Sequence, residues 1–113
     1  MRTIEELKQD ITTFRDERNW KQFHSPKDLA ISISLEAAEL LEVFQWSGED
    51  LVVEAKREKI EEELADVLIY CGFMAIAMDI DIGEIITKKL QTNRKKYPVG
   101  KAYGKSDKYT ELK

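Results

Sequence analysis

Cysteine, histidine, proline and glycine are scarce in this chain, at one, one, two and five residues of 113. With Cys71 alone there can be no intrachain disulfide and no thiolate zinc site. As a lone cysteine it is expected to pack as a small buried hydrophobe. One histidine, His24, and one cysteine leave little material for a nucleophilic triad. The glycine-rich phosphate loops Gly-x-x-x-x-Gly-Lys and Gly-x-Gly-x-x-Gly are missing, as is the Gly-x-Ser-x-Gly nucleophile turn. Few glycines and prolines also mean few turns, and no segment alternates with period two over a strand's length. The longest uncharged apolar run, Val67–Met78, has twelve residues, too few to cross a bilayer as a helix. No signal peptide is legible, so a cytoplasmic location with no membrane partner is expected.

What is present suits a helical domain. The chain is 42% hydrophobic and 35% charged, enough to bury a core. The net charge of −4 is uneven. Residues 88–113 hold nine of the 18 Lys and Arg against two acids, a balance of +7, which leaves −11 for the rest. An acidic body with a basic end disfavours a nucleic-acid polymer as partner. It fits a small polyanion, or simply a solvated basic tail.

Four helices are predicted. The first opens on the capping box Thr3-x-x-Glu6 and runs to about Arg18 with Ile4, Leu7, Ile11 and Phe14 as its apolar stripe. After an aromatic connector, Asn19–His24, Ser25 caps a second helix with Pro26 at its first position; it runs to about Trp46 and ends at Ser47-Gly48. The third begins near Glu49 or Asp50 and ends near Asp79. The fourth opens on Asp81 and Glu84 and stops at Tyr97-Pro98. The expected fold is therefore all-α, a four-helix bundle-like protomer over residues 1–98, with 99–113 as a basic loop or tail. A short Ser-Gly-Glu turn makes helices two and three antiparallel neighbours. The Val67–Met78 segment is apolar all round and must be buried all round. A second subunit is expected to cover it against Cys71, Gly72 and Ala75.

Two carboxylate pairs stand out, Glu36 and Glu39 in ISLEAAELLE and Glu63 and Asp66 in EEELADVLIY. Each pair has i, i+3 spacing, so its members share a helix face, and each is bordered by apolar residues. Facing each other across antiparallel helices, they form either an all-oxygen site for Mg²⁺ or Mn²⁺ or a solvated charge stripe. A di-iron bundle fits less well, because it requires Glu-x-x-His on two helices. Trp46 follows Glu39, and Tyr70 follows Glu63, by seven residues, roughly 10 Å along a helix. The two aromatics stack a base or fill core. His24, with Trp20 beside it in WKQFHSP, is a site residue or a structural hydrogen-bonding group. Lys89, Asn93 and Lys96 share a face of the fourth helix and meet phosphate or complement the helix dipole.

These residues resemble the MazG-type all-α nucleoside triphosphate pyrophosphohydrolases. Glu36-Ala-Ala-Glu39 followed by Glu63-Leu-Ala-Asp66 is similar to their ExxE…ExxD signature. RDERNWKQFHSPKDLA, LEAAELLEVFQW, EELADVLIY and TNRKKYP resemble segments of the dCTP pyrophosphatase branch. The resemblance spans roughly residues 14–98. It implies hydrolysis of a nucleoside triphosphate, dCTP-like, to monophosphate and pyrophosphate in nucleotide-pool housecleaning. Mg²⁺ would be held by Glu36, Glu39, Glu63 and Asp66, with Glu39 and Glu63 the catalytic choices. Trp20, His24, Trp46 and Tyr70 would surround the base and sugar. Lys89, Asn93 and Tyr97 would meet the phosphates, some from a neighbouring subunit of a homodimer or homotetramer. The rival readings are a non-catalytic helical interaction module and a nucleotide sensor without turnover.

Overall fold

A computed structural model describes all 113 residues, Met1–Lys113, and every regular element in it is helical. Contacts divide the chain into two compact units, Met1–Ile80 and Asp81–Lys113.

The first unit contains α1 (Ile4–Glu17), α2 (Pro26–Glu42) and α3 (Arg57–Ala77), with short 3-10 turns at Lys21–Phe23 and Glu54–Lys56. Both expected caps form. The Thr3 hydroxyl accepts from the Glu6 amide at 3.1 Å, and the Ser25 hydroxyl from the Asp28 amide at 3.1 Å. Helix α1 ends on Asn19 in the left-handed region (φ 54°), and the Trp20 amide reaches back to the Arg15 carbonyl at 3.1 Å. This Schellman-type ending, with asparagine at the left-handed position, turns the chain into the aromatic connector. Asp79 (φ 53°) ends α3 in the same way, the Ile80 amide bonding the Ala75 carbonyl at 2.8 Å.

The link between α2 and α3 departs from expectation. Helix α2 stops at Glu42, four residues early, and α3 starts at Arg57 rather than near Asp50. The intervening chain is no tight turn. Residues 44–47 tighten into three-residue hydrogen bonds, Phe44 to Leu41, Gln45 to Glu42 and Ser47 to Phe44. Trp46 (φ 67°), Gly48 (φ 59°) and Val53 (φ 52°) all take left-handed backbone. Val53 is β-branched and resists that conformation. It is held there by burial of its side chain and by the Asp50 carboxylate, which accepts from the Val52 and Val53 amides at 3.3 and 3.0 Å. Tertiary burial of Val43 and Val53 overrides the helical reading of LEVFQW at residues 41–46.

Helix α3 packs chiefly on α2 and secondarily on α1. The core of the chain is small: Leu29, Phe73, Ala75, Val43 and Val53. Gly72 and Ala75 are buried within the subunit, not on a partner-facing side. A Cβ on Gly72 would lie 2.9 Å from Ile11 Cδ1, so the glycine is what lets α1 approach α3. Cys71 is exposed, contrary to its expected burial. It lies one helix position from Gly72 and turns off the α1-facing side. Apolar side chains also remain exposed on α2 and α3, among them Leu35 (61%) and Leu68 (60%). No helix is long and apolar enough to cross a membrane.

In the second unit α4 (Ile82–Lys96) is capped by the Asp81 carboxylate, which accepts from the Glu84 amide at 2.9 Å. The stretch read as tail contains a one-turn helix α5 (Val99–Ala102) and a 3-10 turn at Tyr109–Glu111. Tyr97 and Tyr109 meet edge to face with ring centroids 6.1 Å apart, and Lys96 Nζ lies 4.7 Å from the Tyr109 ring centre.

Candidate functional site

The two carboxylate pairs converge. Oxygens from Glu36, Glu39, Glu63 and Asp66 all lie within 4.8 Å of one another. The pairing runs in reverse along the two helices. Glu39 faces Glu63 and Lys59, while Glu36 faces Tyr70, and the cavity farther up joins Asp28 and Ser32 to Tyr70. Helices α2 and α3 are therefore antiparallel here, as expected.

Acidic clusters on helix surfaces are commonplace, and burial sets this one apart. Glu63 is only 6% exposed. One of its oxygens takes the Lys59 ammonium at 2.9 Å, an i, i+4 pair. Its other oxygen, Oε2, is buried without a hydrogen-bond partner, and so is Glu36 Oε2. Buried acceptors are nearly always satisfied, because leaving one bare costs about 1–3 kcal/mol or more. Charge crowding shows in proton affinities. The adjacent Glu36 carboxyl pushes the pKa of Glu39 up, helped by burial and by Glu63. Lys59 draws Glu63 down against the opposing effect of burial. Glu63 in turn raises Lys59. One ammonium among four acids leaves the cluster short of positive charge. An all-oxygen donor set with two orphaned buried oxygens fits a hard divalent cation.

Next to the acids lies a cavity of about 240 Å³ lined by Trp20, Phe23, His24, Asp28, Leu29, Ser32 and Tyr70. The Ser25–Pro26 helix start and the preceding 3-10 turn set its rim. The His24 ring rests on Phe73 with centroids 4.5 Å apart, and Tyr70 meets Phe73 edge-on at 5.4 Å. Burial, and secondarily the Arg15 guanidinium, holds the pKa of His24 below its usual value, and His24 Nδ1 is buried with no partner. Burial also raises Tyr70, with Glu36, Asp66 and Glu39 adding to the effect. Tyr70 thus belongs to the cavity wall and to the field of the acids at once.

The structure brings together seven of the expected residues: the four acids, and Trp20, His24 and Tyr70 around the cavity. Trp46 is not among them. Because α2 ends at Glu42, Trp46 does not continue the Glu39 face. It sits in the link and is 92% exposed. Lys89, Asn93 and Tyr97 lie in the second unit. Lys89 is exposed, Asn93 half-buried with its carbonyl accepting from the Tyr97 amide at 2.8 Å, and Tyr97 meets Tyr109 edge to face. Five side chains were not expected at the site from the sequence: Phe23, Asp28, Leu29 and Ser32 at the cavity, and Lys59 at the acids. Extending the helical stripes would have found three of them. Asp28, Ser32, Glu36 and Glu39 share one face of α2, and Lys59, Glu63, Asp66 and Tyr70 share one face of α3.

A family model described as MazG-like matches residues 31–112. The chain belongs to the MazG-like family. This MazG-like chain is 36% identical to dCTP pyrophosphatase 1 of Mus musculus over 97% of its own length and 68% of that protein's. The figures are the same for dCTP pyrophosphatase 1 of Homo sapiens. Among solved structures, a pyrophosphatase from Archaeoglobus fulgidus DSM 4304 is 44% identical and superposes with a TM-score of 0.79. The match covers 87% of this MazG-like chain and 94% of the archaeal one. The matched portion contains all four acids of the site.

Proposed function

We propose that this MazG-like chain hydrolyses a nucleoside triphosphate between its α and β phosphates, giving the monophosphate and pyrophosphate. The observation that carries the reading is the convergence of Glu36, Glu39, Glu63 and Asp66, with two buried oxygens unsatisfied, beside an aromatic cavity. The relatives' names support the reaction class, and a dCTP-like nucleotide is the proposed substrate. Glu36, Glu39, Glu63 and Asp66 are the residues that would hold Mg²⁺. When bound, the ion neutralises phosphate oxygens and makes the α-phosphorus open to attack.

The protein's own groups do the rest. Trp20, Phe23 and Tyr70 offer aromatic surface to a base. His24, kept neutral by burial, offers a hydrogen-bonding edge without adding charge. Glu39, the more exposed of the two acids chosen as catalytic, orients the attacking water and accepts its proton. Water oxygen bonds to the α-phosphorus, the bond from that phosphorus to the bridging oxygen breaks, and pyrophosphate departs with the bonding pair. Trp46, Lys89, Asn93 and Tyr97 remain proposed nucleotide contacts, and the exposed Leu35 and Leu68 support assembly as a homodimer or homotetramer.

The test is incubation with a panel of deoxynucleoside and ribonucleoside triphosphates, with and without Mg²⁺, and identification of products. Metal-dependent monophosphate plus pyrophosphate is the expected result. Release of orthophosphate, or binding without turnover, would overturn the assignment.

A further inference from the structure

Asp28, Ser32 and Glu36 follow one another at intervals of about one turn along a single face of α2. Glu36 belongs to the acid cluster, and the other two line the aromatic cavity. Eight residues of helix rise about 12 Å, so Asp28 stands that far from Glu36 along α2, with Ser32 midway. Both cavity side chains have polar ends to spare. Ser25-Pro26-Lys27-Asp28 has the spacing of a capping box, and the Ser25 hydroxyl accepts from the Asp28 amide at 3.1 Å. The reciprocal half of such a box, a bond from the Ser25 amide to the Asp28 carboxylate, is not made. No lysine or arginine lines the cavity to neutralise that carboxylate. Ser34 folds its hydroxyl back on the Ala30 carbonyl at 3.1 Å, whereas Ser32 makes no such bond.

We infer that Asp28 is the residue that selects the base, favouring one that presents an exocyclic amino group, such as cytosine, over uracil and thymine. The inference rests on the nucleotide reading above, which puts the base in the cavity and the phosphates at the acids. The other polar groups of the cavity cannot discriminate by hydrogen bonding. His24, Ser32 and Tyr70 each both donate and accept, whereas a carboxylate only accepts. The amino group of cytosine donates to it in a charge-assisted bond. Uracil and thymine carry a carbonyl oxygen at that place, so acceptor faces acceptor and the base is refused. A site built to bond one polar group rejects the analogue lacking it far more strongly than an apolar wall does. The Ser32 hydroxyl adapts to either pyrimidine, donating to the bare ring nitrogen of cytosine or accepting from the ring N–H of uracil. It holds the base while Asp28 chooses it. The charge of Asp28 also orients the ligand. A triphosphate is repelled from the cavity end of α2, so only the base enters there.

The test measures binding of dCMP and, separately, dUMP by calorimetry at saturating Mg²⁺. Wild type, Asp28→Asn and Asp28→Ala are compared, with circular dichroism as the check on folding. Wild type should bind dCMP about tenfold or more tighter than dUMP, the size of one charge-assisted hydrogen bond. Asp28→Asn should bring the two ligands to about equal affinity, chiefly by tightening dUMP, because an amide turns to donate or accept. Asp28→Ala should weaken dCMP and leave dUMP unchanged. A residue that only supports the start of α2 would instead weaken both ligands alike and preserve their ratio, and that result overturns the inference. Equal affinities in wild type, or binding of neither monophosphate, overturn it as well. The hydrolase reading fails separately. Protein that tells dCMP from dUMP through Asp28 yet releases monophosphate from no triphosphate would refute turnover and leave the role of Asp28 standing. Active wild type with equal kcat/KM for dCTP and dUTP would refute Asp28 alone.

Discussion

Glu63 and Tyr70 lie two turns apart on one face of α3, yet one is buried among charges and the other among rings. Around Glu63, burial is opposed by charge: a carboxylate 6% exposed, one lysine, three further acids and two oxygens with no partner. Around Tyr70 burial is favourable in itself, since Phe73, His24 and Leu29 bring apolar surface together. Folding alone therefore completes the cavity, whereas the acid cluster keeps two oxygens unsatisfied, which the proposed cation would complete. On the proposed function, the same helix pair carries a region stable as it stands and a region that a bound ion would complete. That division is what a metal-dependent site beside a base pocket would require.

The largest effects belong to the acids. Glu39→Gln and Glu63→Gln should each cut turnover about 100-fold or more, judged against the loss from disturbing even outer partners of a metal site. Circular dichroism should stay helical in both. Retained activity in either variant removes that residue from the catalytic set. Next in size is metal itself. Mg²⁺ at 100 times its dissociation constant should add about 2.7 kcal/mol of stability by mass action, seen as a rise in melting temperature. Glu36→Gln should lose most of that rise, because it removes one of the two orphaned oxygens. If Mg²⁺ stabilises wild type and Glu36→Gln equally, the ion binds elsewhere.

The cavity should respond more mildly and in KM rather than kcat. Trp20→Ala loses one aromatic surface, worth about 1–3 kcal/mol per stacked base, so KM should rise on the order of tenfold. Trp46→Ala should do less, since Trp46 is 92% exposed and outside the cavity. An equal or larger effect from Trp46 would mean that it reaches a site on a neighbouring subunit and that the cavity is a shared one.

What the sequence disclosed follows the range of the interaction. The caps at Thr3, Ser25 and Asp81 were legible because each is a hydrogen bond three residues long, to Glu6, Asp28 and Glu84. The acid cluster was legible because i, i+3 spacing and a pair of adjacent helices suffice to converge four side chains. The link was not. Helix α2 ends at Glu42 because Val43 and Val53 are buried and Val53 is forced left-handed, and nothing local announces either. That one error displaced Trp46 from the face of Glu39. The small residues Gly72 and Ala75 were assigned to the wrong neighbour for a similar reason. A close approach is legible as an absence of side chain, but its partner, Ile11 on α1, is a tertiary fact.

The smallest effect tests whether the cavity is finished by folding alone. His24 sits with Nδ1 buried and unpartnered, and burial, then Arg15, holds its pKa below the ordinary 6.5. The unfolded chain therefore takes up the proton more readily than the folded one. The stability that comes from keeping the ring neutral is fully present above pH 6.5 and is lost as pH falls toward the lowered folded value. In metal-free protein, so that the acids contribute no ligand-linked change, the melting temperature of His24→Gln should fall less steeply than wild type below that pH. Parallel curves would mean that the ring accommodates its charge, by moving off Phe73 or by finding a carboxylate such as Asp28 across the cavity. The cavity would then be as dependent on an added partner as the acid cluster beside it.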